Sequence, residues 1–218
     1  MIFSGLDQIP FRILALIIVV TVHEASHALA SYIQGDTTAR QLGRLTLNPI
    51  KHMDPLGTLM IIFAGFGWCK PVPVNTFALR NGRLGMGIVS AAGPLSNLIT
   101  ATIAMIPIRL GLASPIFIPG FTDAISLGPE FFLGSLLLNV VILSIWLAVF
   151  NLIPIFPLDG FNVAVGILPT KYAWKFAQLE KYGPVILMLI IGADFVFGVG
   201  ILHALLFPVL KYLYGVIL

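Results

Sequence analysis

The chain has 218 residues, 58% of them hydrophobic and only 10% charged, with a mean hydropathy of +1.02. A water-soluble domain carries about 25% charged residues, so a soluble globular enzyme is excluded, as is a disordered chain, which needs low hydrophobicity. The net charge is only +3, and in so apolar a chain the basic residues read as topology markers; no nucleic-acid partner is expected.

The first apolar stretch covers residues 10–33 and opens Phe11-Arg12-Ile13-Leu14-Ala15-Leu16. Asp7 and a single Arg12 do not make the basic start of a cleaved leader, and charged groups occupy the second half of the stretch. It reads as a transmembrane helix. Residues 35–55 are polar and carry Arg40, Arg44 and Lys51. Residues 56–68 are apolar but number only 13, a length suited to a re-entrant or interfacial segment. Lys70-Pro71-Val72-Pro73-Val74-Asn75 follows. Proline lacks an N–H and pushes the residue before it out of the helical region, so this segment reads as an extended ribbon or loop.

A second span is expected over residues 84–110 and contains Gly93-Pro94-Leu95-Ser96-Asn97. A loop with Asp123 and Glu130 leads to a third span over residues 131–155. That span ends in a proline-broken stretch from Asn151 through Pro154 and Pro157 to Asp159-Gly160. Residues 171–181 are amphipathic and basic. The last apolar run, residues 184–218, is interrupted by Asp194, His203, Pro208 and Lys211. It suits one tilted span plus a surface helix, or two short spans. The lone Cys69 has no partner for an intrachain disulfide or a zinc ribbon and reads as a buried, inert thiol.

Together these elements predict an all-α polytopic membrane protein with four to five transmembrane helices. A re-entrant loop or short β-ribbon is expected near residues 56–81, and residues 1–218 form a single domain embedded in the lipid bilayer. If residues 56–81 dip in and return, Arg40, Arg44, Lys51, Lys70, Arg80, Arg83, Lys171, Lys175 and Lys181 share one side, leaving Arg12, Arg109 and Lys211 elsewhere. Nine against three marks the first group as cytoplasmic. A full crossing at residues 56–68 would weaken that bias.

The chemistry begins in the first helix, where His23-Glu24-Ala25-Ser26-His27 forms an H-E-x-x-H motif. Ionisable groups inside an apolar span call for an explanation. Histidines four residues apart project from one helical face and can bind one zinc ion, and the intervening glutamate can serve as general base. A pair of hydrogen-bonded intramembrane histidines is the plain alternative, but it leaves Glu24 unexplained.

Catalytic zinc usually takes three protein ligands and keeps one open position. The candidates for the third are Asp159, Asp194, His52 and His203. Asp159 is favoured because the flanking prolines and Gly160 can aim it from a non-helical loop. Asp194 reads as a polar contact between helices or an interfacial residue, His52 as an interfacial residue and His203 as a core-facing one. An oxyanion needs a donor besides the metal; Asn151 is the first candidate and Asn97 the second, each with an interhelical hydrogen bond as its alternative role. The rival function is a non-proteolytic membrane protein that binds or transports metal, which would place polar residues along a path across the bilayer. Here they cluster at one depth.

The motifs resemble those of the site-2 protease family of intramembrane zinc metalloproteases, in its minimal branch without PDZ or CBS domains. The matching pieces, in the family's order, are His23-Glu24-Ala25-Ser26-His27, Gly43-Arg44-Leu45-Thr46-Leu47-Asn48-Pro49 with Asp54-Pro55-Leu56-Gly57-Thr58, then Lys70-Pro71-Val72-Pro73-Val74-Asn75, Gly93-Pro94-Leu95-Ser96-Asn97, and Asn151 through Gly160. They cover roughly residues 20–160. The resemblance implies Zn2+ on His23, His27 and Asp159, Glu24 as catalytic base, and cleavage of a transmembrane protein substrate; the charge bias and the direction of the first and third spans put the site of this multi-pass membrane protein nearer the cytoplasmic face.

Overall fold

A computed structural model describes residues 9–57, 69–115 and 128–218. The expected re-entrant turn falls mainly on residues 58–68, outside the described residues, as does the Asp123 loop. The helices are α1 (Ile9–Ile33), α2 (Thr38–Gln41), α3 (Gly82–Arg109), α4 (Pro129–Asn151), α5 (Asp159–Ile167), α6 (Thr170–Ala177), α7 (Gly183–Phe197) and α8 (Ile201–Ile217). Short 3-10 turns occupy Pro49–Lys51 and Gln178–Tyr182. Among the described residues, four stretches are long and apolar enough to cross a membrane: α1, α3, α4 and Thr170–Asp194. The chain is an all-α, multi-pass membrane protein, as composition predicts.

Helices α1, α3 and α4 form the centre, with α5 laid against α3 and α8 against α4. Their core gathers Ala15 and Val19 of α1, Ala101, Ala104 and Met105 of α3, and Val140, Val141 and Ile145 of α4. Leu206 and Leu210 of α8 close it. In lipid the hydrophobic effect does not drive helices together, and close van der Waals contact does; the small residues at these contacts let the backbones approach. The larger apolar side chains Ile13, Ile18, Ile99 and Ile103 are left exposed on the outer faces of α1 and α3, where lipid replaces water.

The helix ends sort into two groups. At one end, Phe11 of α1 meets Phe132 of α4 with ring centroids 5.3 Å apart. There too Ser114 N–H donates to the Glu130 carbonyl at 3.2 Å, and Arg109 at the end of α3 donates to the Val216 carbonyl of α8 at 3.2 Å. At the other end, Arg80 N–H donates to the Gln34 carbonyl at 2.9 Å, and Arg83 donates to the Val165 and Leu168 carbonyls at the end of α5, both at 2.8 Å. Gly183, which opens α7, backs onto Phe156 at this same end. Since α7 begins here and α8 finishes beside Arg109, the two together make one net crossing, broken at Gly198-Val199-Gly200.

Gly198 and Gly200 adopt left-handed backbone (φ 61° and 74°), a conformation glycine enters without a Cβ clash. The break would strand the first N–H groups of α8. Asp194 prevents this: its two carboxylate oxygens accept from Ile201 N–H and Leu202 N–H, each at 2.7 Å. The expectation of a polar contact between helices for Asp194 therefore takes the form of a helix cap. His203 corrects the expectation of a core-facing histidine. It is exposed, stacked on Phe207 one turn later with centroids 4.6 Å apart, even though it shares a helical stripe with Leu206 and Leu210, which are buried.

Residues 70–75 are not helical, as the prolines require. Among the described residues they form no regular strand; the segment is entered by one isolated antiparallel bridge between Met53 and Cys69. Two buried charged residues hold it. Arg44 donates to the carbonyls of Lys51 (2.6 Å), Lys70 and Pro71 (3.2 Å). Asp36, just past the end of α1, accepts from Ser31, from the N–H and hydroxyl of Thr38, and from Asn75 N–H at 2.8 Å. Burial works to raise the Asp36 carboxyl, but these four donors outweigh it and hold the group below the ordinary carboxylate range. His52 is fully buried in the same scaffold, with Nε2 2.8 Å from the Thr46 carbonyl, so it is an internal rather than an interfacial residue.

Candidate metal centre

His23 and His27 occupy successive turns of α1 and are both buried. Their Nε2 atoms lie 3.1 Å apart. Asp159 Oδ2 stands 3.1 Å from His23 Nε2 and 3.3 Å from His27 Nε2. Among the described residues these three form the group of side chains able to hold a metal ion. The sequence-predicted ligands thus meet across 132 positions of chain.

The spacing tests the fit. Ligands at about 2.0–2.1 Å from a tetrahedral zinc stand about 3.3–3.4 Å from one another, and the observed triangle has sides of 3.1–3.3 Å. Asp159 Oδ2 is buried with no hydrogen-bond donor of its own, an arrangement that a shared cation would satisfy. His27 Nδ1 lies 2.8 Å from the Val89 carbonyl. A carbonyl only accepts, so Nδ1 carries the proton and Nε2 keeps the lone pair that a metal requires. The residues fit a zinc-type site.

Each ligand is placed by an identifiable local cause. The Val89 carbonyl, one turn before Gly93 on α3, holds the His27 ring through Nδ1. Gly93 gives the two rings their room. A Cβ there would run into His27 Nε2 and lie 2.6 Å from the Cε1 atoms of His23 and His27. After α4 the chain makes turns through residues 152–158, including a cis Phe156–Pro157 peptide. Asp159 then opens α5 as its first residue, where the helix dipole favours a carboxylate. This differs from the expected non-helical setting. Gly160 also acts differently from expectation: its φ is not positive, but a Cβ would strike the Leu152 carbonyl and lie 2.6 Å from that of Ile153. Close approach to the turn, not an unusual backbone, is what glycine provides.

Glu24 is half-buried on α1 beside His23. Its charge reaches the head of the extended segment, where Cys69 sits half-buried rather than buried. Burial first, then the negative charges of Glu24 and Asp54 against the positive charge of Arg44, push the Cys69 thiol up to about 12. It stays protonated at neutral pH, in keeping with an inert thiol.

The oxyanion candidates are held by other partners. Asn151 Nδ2 donates to the Leu147 carbonyl one turn back at 3.0 Å. Asn97 is fully buried with Nδ2 3.0 Å from His23 Nδ1, so it stands behind the ligand ring, on the side away from the triangle. Sequence reasoning singled out the three side chains that meet here but not the groups that support the two rings. The identity of Gly93 does not reveal that both histidine rings pack against it. Nothing in the local pattern marked Val89.

No family model matches the chain, and no solved structure does. A Bacillus subtilis (strain 168) protein named "Putative zinc metalloprotease YwhC" is 39% identical over 189 residues, covering 86% of this chain and 83% of that protein. Proteins of the same description named Rip2 are 29% identical in Mycolicibacterium smegmatis and 30% in Mycobacterium tuberculosis, each over 78% of this chain. The chain spans 62% and 61% of their respective lengths. With that identity to YwhC over most of both sequences, and with its paired histidines and distant aspartate converging inside a helical membrane bundle, the chain belongs to the site-2 protease family.

Proposed function

We propose that the protein is a zinc metalloendopeptidase that cuts a peptide bond in or near a transmembrane segment of a membrane-protein substrate. The observation that carries this reading is the triangle of His23 Nε2, His27 Nε2 and Asp159 Oδ2, set in a membrane-spanning helix that also bears Glu24. His23, His27 and Asp159 hold Zn2+ in this reading. When bound, the ion supplies Lewis acidity toward the scissile carbonyl and toward water.

Glu24 accepts the proton of the attacking water and delivers it to the leaving amine. Asn151 offers its amide to the oxyanion by exchanging its Leu147 partner for the substrate. A substrate helix must unwind before its backbone is attacked, and its freed N–H and C=O groups then need partners in the bilayer. The extended segment 70–75, fixed by Arg44 and Asp36, supplies an edge for strand addition. The clustering of nine of the twelve Lys and Arg residues in the stretches 40–83 and 171–181 supports an orientation in which the site faces the cytoplasm.

The test is a reconstitution. Purified protein in lipid nanodiscs is assayed for bound zinc and for cleavage of a transmembrane reporter, wild type beside Glu24→Gln. One zinc in both with cleavage only by wild type is the expected result. Equal cleavage by both removes Glu24 as the base, and zinc without cleavage of any transmembrane reporter removes the intramembrane reading.

A further inference from the structure

His23 presents a conflict that its neighbours resolve. Its Nε2 faces His27 Nε2 and Asp159 Oδ2. As placed, the Asn97 amide nitrogen faces His23 Nδ1 at 3.0 Å, which makes Nδ1 the acceptor and sends the ring proton to Nε2. A proton on Nε2 blocks that atom as a ligand. At the same time Asn97 Oδ1 is buried without a partner, and buried polar atoms of that kind are uncommon. An amide turned by 180° fills the same space with oxygen and nitrogen exchanged. Turned so, Oδ1 accepts from His23 Nδ1–H, and the lone pair returns to Nε2.

We propose that Asn97 is a positioning residue for the metal ligand His23: its amide oxygen holds the proton on Nδ1 and so commits Nε2 to the metal. This rests on the metal reading above. The arrangement matches the one at His27, whose Nδ1–H is held by the Val89 carbonyl. Both acceptors come from α3, one from its backbone and one from a side chain two turns further on. Helix α3 contributes no ligand, yet it sets the proton position and ring orientation of both histidines. A plain interhelical tie would make a different demand, since either hydrogen-bonding sense would serve it.

The experiment uses the full chain in nanodiscs, with zinc affinity measured by chelator competition and the histidine nitrogens read by 15N NMR in the zinc-loaded state. Asn97→Asp keeps the acceptor and removes the donor. Asn97→Leu removes both at similar volume. The expected results are a His23 signature of protonated Nδ1 with metal-bound Nε2, near wild-type affinity for Asn97→Asp, and affinity weakened about 10- to 100-fold for Asn97→Leu. Asn97→Leu binding as tightly as wild type overturns the inference. So does Asn97→Asp losing as much as Asn97→Leu, or a bare Nδ1 on His23 in the loaded wild type. Should Asn97→Leu fail to fold, the wild-type spectrum and Asn97→Asp decide. A wild type that takes up no zinc overturns the functional reading together with this one, whereas stoichiometric zinc in wild type and Asn97→Leu alike overturns this one alone.

Discussion

Replacing Gly93 by alanine adds one methyl group at the point where α3 meets both histidines. The new Cβ would lie 2.6 Å from the Cε1 atoms of His23 and His27. Carbon atoms in ordinary contact sit about 3.5–4.0 Å apart, so the rings or the helix must retreat by about 1 Å. Functional groups tolerate about 0.5 Å before a site fails, and the ligand triangle has sides of only 3.1–3.3 Å. Overpacking of this kind costs about 1–3 kcal/mol. If the strain is relieved by moving the rings off the metal position, zinc affinity falls about 5- to 140-fold, one decade per about 1.4 kcal/mol. Chelator competition on Gly93→Ala measures this, with thermal unfolding to confirm the fold. Gly192→Ala and Gly215→Ala are the controls, because a Cβ at either meets nothing within 4 Å. Wild-type zinc affinity in Gly93→Ala would refute the claim that α3 presses on the ligand rings.

The other predictions test separate parts of the structure. Asp159→Ala should lose stoichiometric zinc by metal analysis while remaining folded; full occupancy would move the third ligand elsewhere. Asp36 has a folded pKa below its unfolded one, so between the two values the unfolded chain binds more protons and stability rises with pH. Its contribution is therefore complete above the ordinary carboxylate range and is lost as pH falls through the lowered value; thermal melts on the acid side should show a limb that Asp36→Asn lacks, and identical limbs would contradict the account. Asp194→Ala removes the cap on α8 and should cost about 1–2 kcal/mol, with faster amide exchange at Ile201 and Leu202; unchanged exchange there would mean that the cap is idle.

The legible part of this protein was the part written locally. An H-E-x-x-H motif inside an apolar span is expensive to keep, and that cost made His23, Glu24 and His27 readable. Pro154 and Pro157 ended a span and directed attention to Asp159. What supports the site was not legible, because it arises from docking across α3. The Val89 carbonyl reaches His27 over 62 positions of chain, and Asn97 reaches His23 over 74. A backbone acceptor leaves no trace in residue identity, and an asparagine reads equally as oxyanion donor, helix tie or ring support until its register is known. Asp36 carries no sequence signal of its role, since its donors from Thr38 and Asn75 are set by the fold. His203 misled because it shares a helical stripe with Leu206 and Leu210, and periodicity does not show that this stripe is buried at those two residues and exposed at His203.

The clamp at the end of α1 bears on where a cut would fall. His27 lies on the same helix that ends beside Asp36, nine positions later in the chain, and Asp36 grips Asn75. Residues 70–75 and the His23–His27 pair are therefore tied to one rod. A peptide laid along residues 70–75 would be presented to the metal at a fixed offset, whatever its side chains. Cleavage would be counted from the docked register rather than recognised at the scissile bond. Sliding a substrate's docking sequence by two residues, one strand repeat, would move the cut by two residues instead of abolishing it.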